Sequence, residues 1–301
     1  MADPFFSVII PTYNREGMIG RTVGHVLAQS FEDLELIVVD DGSTDQTEQI
    51  LNEINDSRLI MIKQENKGRS TARNTGIDAA RGRFICFQDS DDIWLPDHLK
   101  NLHRSAIGLS EPTFLFTSLI WRFPEKDVKR EMPKVTGSRS AVEYVIKEEV
   151  STITTCISRS ILNEYKFDPE LVMNEDLHLW ARIAAKYPVM LVNSMQAVAI
   201  QHSQNTKHVI SDHIASALLA TKKIFGNPDV APHLSESFKR NRLMGLHHQH
   251  IDLLGQQGKR FEQSIKIIQF IVRYPENPQN KSKIVMLIHN LPIIGNLLKK
   301  K

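Results

Sequence analysis

Short apolar runs rich in β-branched residues alternate with helix-spaced segments through the N-terminal third of this chain, and that alternation restricts the fold more than any other feature. The runs occupy residues 7–10, 36–39, 59–62 and 84–87. Between the first two, Ile19, Val23, Val26 and Leu27 recur at helix spacing. Between the second and third, Ile50, Leu51 and Ile54 do the same, after a capping box from Ser43 to Gln46. Strands alternating with helices of this length predict βαβ units and a mainly parallel α/β sheet flanked by helices. Ligands of such sheets sit beyond the carboxyl ends of the strands.

Those ends are polar in this sequence. The first run leads into Pro11, Thr12, Tyr13 and Asn14, and the second into Asp40, Asp41, Gly42 and Ser43. The third leads to Asn66, Lys67, Gly68 and Arg69, and the fourth to Asp89, Ser90, Asp91 and Asp92. Carboxylates crowded at the end of a buried strand repel one another unless a cation neutralises them. Hard divalent ions such as Mg²⁺ or Mn²⁺ take one or two carboxylates together with substrate phosphates. An acidic turn with an Asp bonded to the local backbone is the plainer account of Asp92. A turn explains Gly42, Ser43 and Asp45 as well, but not the paired Asp40 and Asp41. A carboxylate there could accept a hydrogen bond from the imide N–H of a uracil ring.

Beyond Pro96 the pattern mixes helix and strand, with a strand predicted at 113–117 and a loop or lid at 123–140. Past His202 it becomes helical, with apolar stripes at 214–224 and 261–271. A length of 301 residues with 41% hydrophobic composition supports a sizeable core. Lys and Arg total 37 against 35 Asp and Glu, which excludes the one-signed field of a dedicated nucleic-acid binder. Two cysteines, Cys86 and Cys156, make no disulfide framework and suit a reduced cytoplasmic compartment. No signal-peptide pattern is present at the N-terminus, and no apolar stretch is long enough to span a bilayer.

With these segments placed, the chain resembles family 2 glycosyltransferases of the GT-A fold, a Rossmann-like arrangement. The resemblance is carried by Ser7-Val8-Ile9-Ile10-Pro11-Thr12-Tyr13-Asn14 and by Leu36-Ile37-Val38-Val39-Asp40-Asp41-Gly42-Ser43-Thr44-Asp45. It continues through Asn66-Lys67-Gly68, Ala72-Arg73-Asn74-Thr75-Gly76-Ile77, Ala80-Arg81-Gly82, Asp89-Ser90-Asp91-Asp92 and Leu95-Pro96. Phe167-Asp168 and Glu175-Asp176-Leu177-His178-Leu179-Trp180 extend it to His202. The implied division is a GT-A domain at 1–204 and a mainly helical region at 205–301.

The resemblance implies a nucleoside diphosphate sugar donor, UDP-linked, and a hydroxyl on a saccharide or lipid-linked acceptor, as in bacterial surface polysaccharide synthesis. It implies that Pro11, Thr12 and Tyr13 line the nucleotide pocket, with Glu16 nearby. Asp41 would contact the base with Asp40 beside it, and Arg73 would sit near the diphosphate, with Arg69 as the alternative. Asp91 would be the principal ligand of Mn²⁺ or Mg²⁺, with Asp89 on the ribose or the metal's water and His202 near metal and diphosphate. Asp176 would be the general base of an inverting transfer, with Glu175 as its competitor. Without the resemblance, the two acids read as the first turn of a helix.

His247, His248 and His250 read as solvated residues of a helix rather than metal ligands. Residues 284–298 are apolar but broken by His289, Asn290, Pro292 and Gly295, then followed by Lys299-Lys300-Lys301. This tail reads either as a segment packed on the core or a partner subunit, or as a peripheral contact with the inner face of a membrane. Two other functions compete. A nucleotidyltransferase lacks its expected lysine-bearing glycine loop here, and a non-catalytic nucleotide-sugar binder would have no need of both Asp91 and Asp176. NAD chemistry lacks its G-x-G-x-x-G.

Overall fold

The computed structural model describes residues 3–133, 140–201 and 213–298. Strands β1 (Phe6–Thr12), β2 (Leu34–Asp40), β3 (Leu59–Lys63) and β4 (Phe84–Phe87) form where the apolar runs predicted them. They alternate with helices α1 (Ile19–Leu27), α2 (Thr47–Asn52) and α3 (Arg69–Ala79). β1 pairs in parallel with β2 on one side and with β4 on the other, and β2 pairs in parallel with β3.

Further along lie β5 (Ile93–Trp94), α4 (His98–Ala106), β6 (Phe114–Phe116), β7 (Leu119–Arg122), β8 (Asp127–Arg130) and α5 (Ala141–Lys147). They are followed by β9 (Thr155–Ser158), α6 (Arg159–Glu164), α7 (Glu175–Ala184), β10 (Val189–Leu191) and β11 (Ala197–Ile200). The main sheet runs β10-β6-β9-β4-β1-β2-β3, and a smaller one runs β5-β11-β7-β8. Only β9 opposes its neighbours in the main sheet, lying antiparallel to β4 and β6 and setting Cys86 opposite Cys156 as buried free thiols.

Both faces of the main sheet are covered, which is why its strands read as unbroken apolar runs. Successive residues point to opposite sides. Ile9, Ile37, Ile85 and Phe87 join one core, with Ile77 of α3, Val145 of α5 and Trp180 of α7. Val8, Ile10, Leu36, Val38 and Cys86 join the other, with Val23 of α1, Leu51 of α2 and Leu102 of α4.

Two local expectations need correcting. The capping box does not form: the Ser43 hydroxyl accepts from Asn14 N, α2 starts at Thr47, and Asp45 takes up the Thr47 N–H instead. The expected loop at 123–140 begins as a hairpin, β7 pairing antiparallel with β8, while 134–139 lie outside the described residues.

The C-terminal part is helical as expected, with α8 (His213–Gly226), α9 (Glu236–Gln256), α10 (Arg260–Arg273) and α11 (Asn280–Leu298). Ile224 of α8, Val230 and Leu234 belong to the same core as Ile9 and Phe87. In α11, Asn290 is buried and donates to Gln263 and Ser264 of α10, so the first part of the tail packs on a neighbouring helix. Lys299 to Lys301 lie outside the described residues. Of the three histidines of α9, His250 is buried rather than solvated, while His247 and His248 are half-buried and His248 lies 3.4 Å from Asp252. Among the described residues no helix is long and apolar enough to cross a membrane.

Candidate active site

A cavity of about 690 Å³ opens at the carboxyl ends of β1, β2 and β4. Pro11, Thr12 and Tyr13 line it from β1, Asp41 from β2, and Asp89, Ser90 and Asp91 from β4. Lys67, Arg69 and Arg73 bring positive charge from the start of α3 and the loop before it. The far wall is Pro169, Leu171 and Val172, from the segment leading to α7. Its lining of carboxylates, cations and apolar side chains in one concave site suits a ligand with both charged and flat parts.

The loops are locked to one another by their own polar groups. Asn14, at φ 51°, donates its N–H to Ser43 and accepts from Thr44 N, fastening the β1 loop to the β2 loop. Asp41 accepts from Lys67 N at 3.0 Å, Gly68 N at 2.8 Å and the Gln64 amide at 2.7 Å. Gly68 sits at φ 85°, a conformation that costs a side-chain-bearing residue energy, and so turns the chain directly into α3.

Asp40 and Glu16 do not line the cavity. Asp40 is fully buried and accepts from Ser43 N, and Glu16 accepts from Gln46 N at the start of α2. Both act here by shaping the loop that presents Asp41. Asp92 likewise bonds to backbone, accepting from Ile200 N at 2.7 Å, which ties the acidic turn to the end of β11. Burial and then the Asp91 and Asp89 charges push its carboxyl well above the usual range. His202 lies outside the described residues.

Arg73 is the hub of the site. It is 2% exposed, and its guanidinium bonds Glu175 Oε1 at 2.7 Å and Asp89 Oδ1 at 2.8 Å while lying over the Phe167 ring. Arg69 grips the same Glu175 through Nε at 2.8 Å and Nη2 at 2.9 Å. Glu175 is therefore buried between two guanidinium groups. Asn74 completes the frame by exchanging two hydrogen bonds with the Phe167 backbone.

Asp176, the next residue of α7, has a different environment. Its Oδ2 accepts from Thr152 at 3.1 Å and its Oδ1 from Leu177 N at 2.7 Å. Burial, and then the neighbouring Glu175 charge, raise its pKa to about 6 despite opposing pull from Arg73. A carboxylate of that pKa is ionised at neutral pH yet basic enough to take a proton. It is not among the cavity's lining residues, but it follows directly on Glu175, whose two arginine partners are.

Sequence motifs singled out most of this lining. They missed the wall at 169–172, which carries no polar signature, and Thr152, which lies far from any motif and meets Asp176 only in the fold.

The donor set suits a hard divalent cation. Asp89 and Asp91 offer oxygen ligands at the cavity, although one Asp89 oxygen is engaged by Arg73. Among the described residues no group of three or more acidic, histidine or cysteine side chains could hold a metal unaided.

Residues 7–109 match the profile of Glycosyl transferase family 2. A UDP-Glc:alpha-D-GlcNAc-diphosphoundecaprenol beta-1,3-glucosyltransferase of Escherichia coli is 31% identical over 204 residues, covering 64% of this chain and 75% of the relative. The structure of TarS 1–349 of S. aureus with UDP-GlcNAc superposes with a TM-score of 0.66 at 24% identity, over 96% of this chain and 89% of that one. A mannosyltransferase of Pyrobaculum calidifontis, solved with GDP-Man and Mn²⁺, gives 0.62 at 17% identity, over 100% of this chain and 89% of that one. A GT-A sheet, the ordered motifs along its carboxyl edge and these likenesses lead to one conclusion: the chain belongs to glycosyltransferase family 2.

Proposed function

We propose that this enzyme is an inverting, divalent-metal-dependent transferase that moves a sugar from a UDP-linked donor to a hydroxyl of a saccharide or lipid-linked acceptor. Its setting would be bacterial surface polysaccharide or glycoconjugate synthesis at the cytoplasmic face of the membrane. The observation that carries the reading is Asp176, a carboxylate with a pKa of about 6 that directly follows Glu175, the residue held by the cavity-lining Arg69 and Arg73. The relative's UDP-Glc donor and diphosphoundecaprenol acceptor support the donor and acceptor classes.

In this reading Asp176 takes the proton of the acceptor hydroxyl as its oxygen bonds to the anomeric carbon. The bond from that carbon to the diphosphate breaks on the opposite face. Thr152 holds one Asp176 oxygen and Leu177 N the other, which together fix the direction of the carboxylate. Glu175 is not placed to take the proton, because Arg69 and Arg73 occupy both of its oxygens. Pro11, Thr12, Tyr13 and Asp41 hold the nucleoside, while Arg73 and Lys67 face the diphosphate. Asp91, with Asp89 and His202, would hold Mn²⁺ or Mg²⁺, which when bound stabilises the negative charge on the departing diphosphate. The catalytic unit is proposed to be 1–204, with 205–301 packed on it as a helical region.

The test is turnover of UDP-linked sugars by Asp176→Asn, with UDP affinity measured separately by calorimetry. Turnover should fall by ~10²–10⁴ with affinity nearly unchanged, because asparagine cannot accept the proton. Glu175→Gln should retain more turnover. A fully active Asp176→Asn beside a dead Glu175→Gln would move the base to the neighbouring residue, and activity in both would move it elsewhere.

A further inference from the structure

α10 buries Gln263, Ile267 and Phe270 against adjoining helices, yet it is not apolar on that side alone. Phe261, Ile265, Ile268 and Val272 are 46, 40, 51 and 76% exposed. Their spacing of four, three and four residues places them in a single stripe along the helix. Scattered exposed apolar residues are ordinary on a protein surface, but a continuous row of four is a signature of a docking face.

The charge beside the stripe identifies what docks. Lys266 and Arg273 run along one flank, and the exposed Lys259 and Arg260 stand at the N-terminal end. The only acidic residue within α10 is Glu262. The next, Glu276, is paired with Arg240. An apolar stripe bordered by cations matches the interface of an anionic bilayer, where acyl chains receive the apolar groups and headgroup phosphates receive the ammonium and guanidinium groups. A second copy of the chain fits less well. A two-fold contact along this helix would set Lys266 and Arg273 against their own like charges.

We infer that α10 is a peripheral docking helix for anionic phospholipid, lying in the interface through Phe261, Ile265, Ile268 and Val272. The inference extends the lipid-linked reading of the acceptor without using it as a premise. It also assigns the membrane contact to α10 rather than to the tail, whose Asn290 is buried against α10.

The test is co-sedimentation of the full-length protein with vesicles of phosphatidylcholine alone, or mixed with phosphatidylglycerol in about equal parts. Wild type should pellet with the mixed vesicles, much less with phosphatidylcholine, and less as salt is raised. Replacing both Ile268 and Val272 by serine should weaken vesicle binding about tenfold or more. Replacing both Lys266 and Arg273 by glutamate should abolish the preference for phosphatidylglycerol. These side chains are at the surface, so melting temperature and slow hydrolysis of donor without vesicles should match wild type, which separates this test from that of the transfer chemistry. Wild type that ignores mixed vesicles, or stripe variants that bind as wild type does, would overturn the inference. So would a wild-type dimer in sedimentation velocity that the serine variant dissolves, since the stripe would then face a second copy.

Discussion

Ionised Asp176 costs the fold stability, because burial and the adjacent Glu175 charge both oppose its negative form. Its pKa rises from the ordinary 3.8 to about 6, so between those values the folded protein binds more protons than the unfolded chain. Stability therefore falls as pH rises through that window and stays at the lower level above it. Asp176→Asn should then raise the melting temperature at pH ~8, with the gain shrinking as pH approaches ~4. The same group should give the wild-type turnover an acid limb near pH ~6, lost on the low side as the base protonates. Scanning calorimetry and a pH–rate profile check both, and an Asn variant no more stable at high pH would remove the raised pKa. Asp91→Asn makes a separate prediction: UDP affinity measured by calorimetry should respond to Mn²⁺ in wild type and respond far less in the variant. Equal affinity with and without metal in both would take Asp91 out of its role. The residue types of this site were legible in sequence, but their division of labour was not. Neighbours such as Glu175 and Asp176 differ through Arg69, Arg73 and Thr152, which reach them only when the chain is folded.

At the scale of elements, β1 and the turn before β4 approach each other more closely than side chains allow. A Cβ on Gly82 would meet the Ser7 N and the Phe6 carbonyl carbon, both backbone atoms that cannot rotate away. The Ser7 hydroxyl also accepts from Gly82 N and donates to Glu35, which holds Arg81. Gly82→Ala should therefore destabilise the protein by ~1–3 kcal/mol or more, the cost of overpacking against a rigid neighbour. Urea unfolding measures it, and an unchanged midpoint would mean that β1 can shift. Strands buried on both faces announced themselves as apolar runs. The hairpin of β7 and β8 did not, because Asp127 and Lys129 are exposed edge residues whose polarity reads as loop. The surroundings of Cys156 are strand-like in sequence, but the pairing of Thr155-Cys156-Ile157-Ser158 is not legible there. That antiparallel pairing is set by neighbours distant in sequence.

For the molecule as a whole, the C-terminal helices are fastened to the α/β part by core and by charge. Ile224, Val230 and Leu234 share a hydrophobic core with β1 and β4, and Arg242 pairs with Glu149 at 2.8 Å. A chain ended at residue 204 should unfold at a lower temperature than the full chain and expose apolar surface to a dye. Equal stability would make the two parts independent. Lys223 of α8 holds Asp168 at 2.8 Å and Glu170 at 2.6 Å, gripping the segment that supplies the cavity wall of Pro169, Leu171 and Val172. Arg69 takes the same segment from the other side, through the Val172 carbonyl. A helical region exchanged between relatives would thus carry the set of this wall with it. Substrate preference would be partly inherited through helices whose described residues never line the cavity.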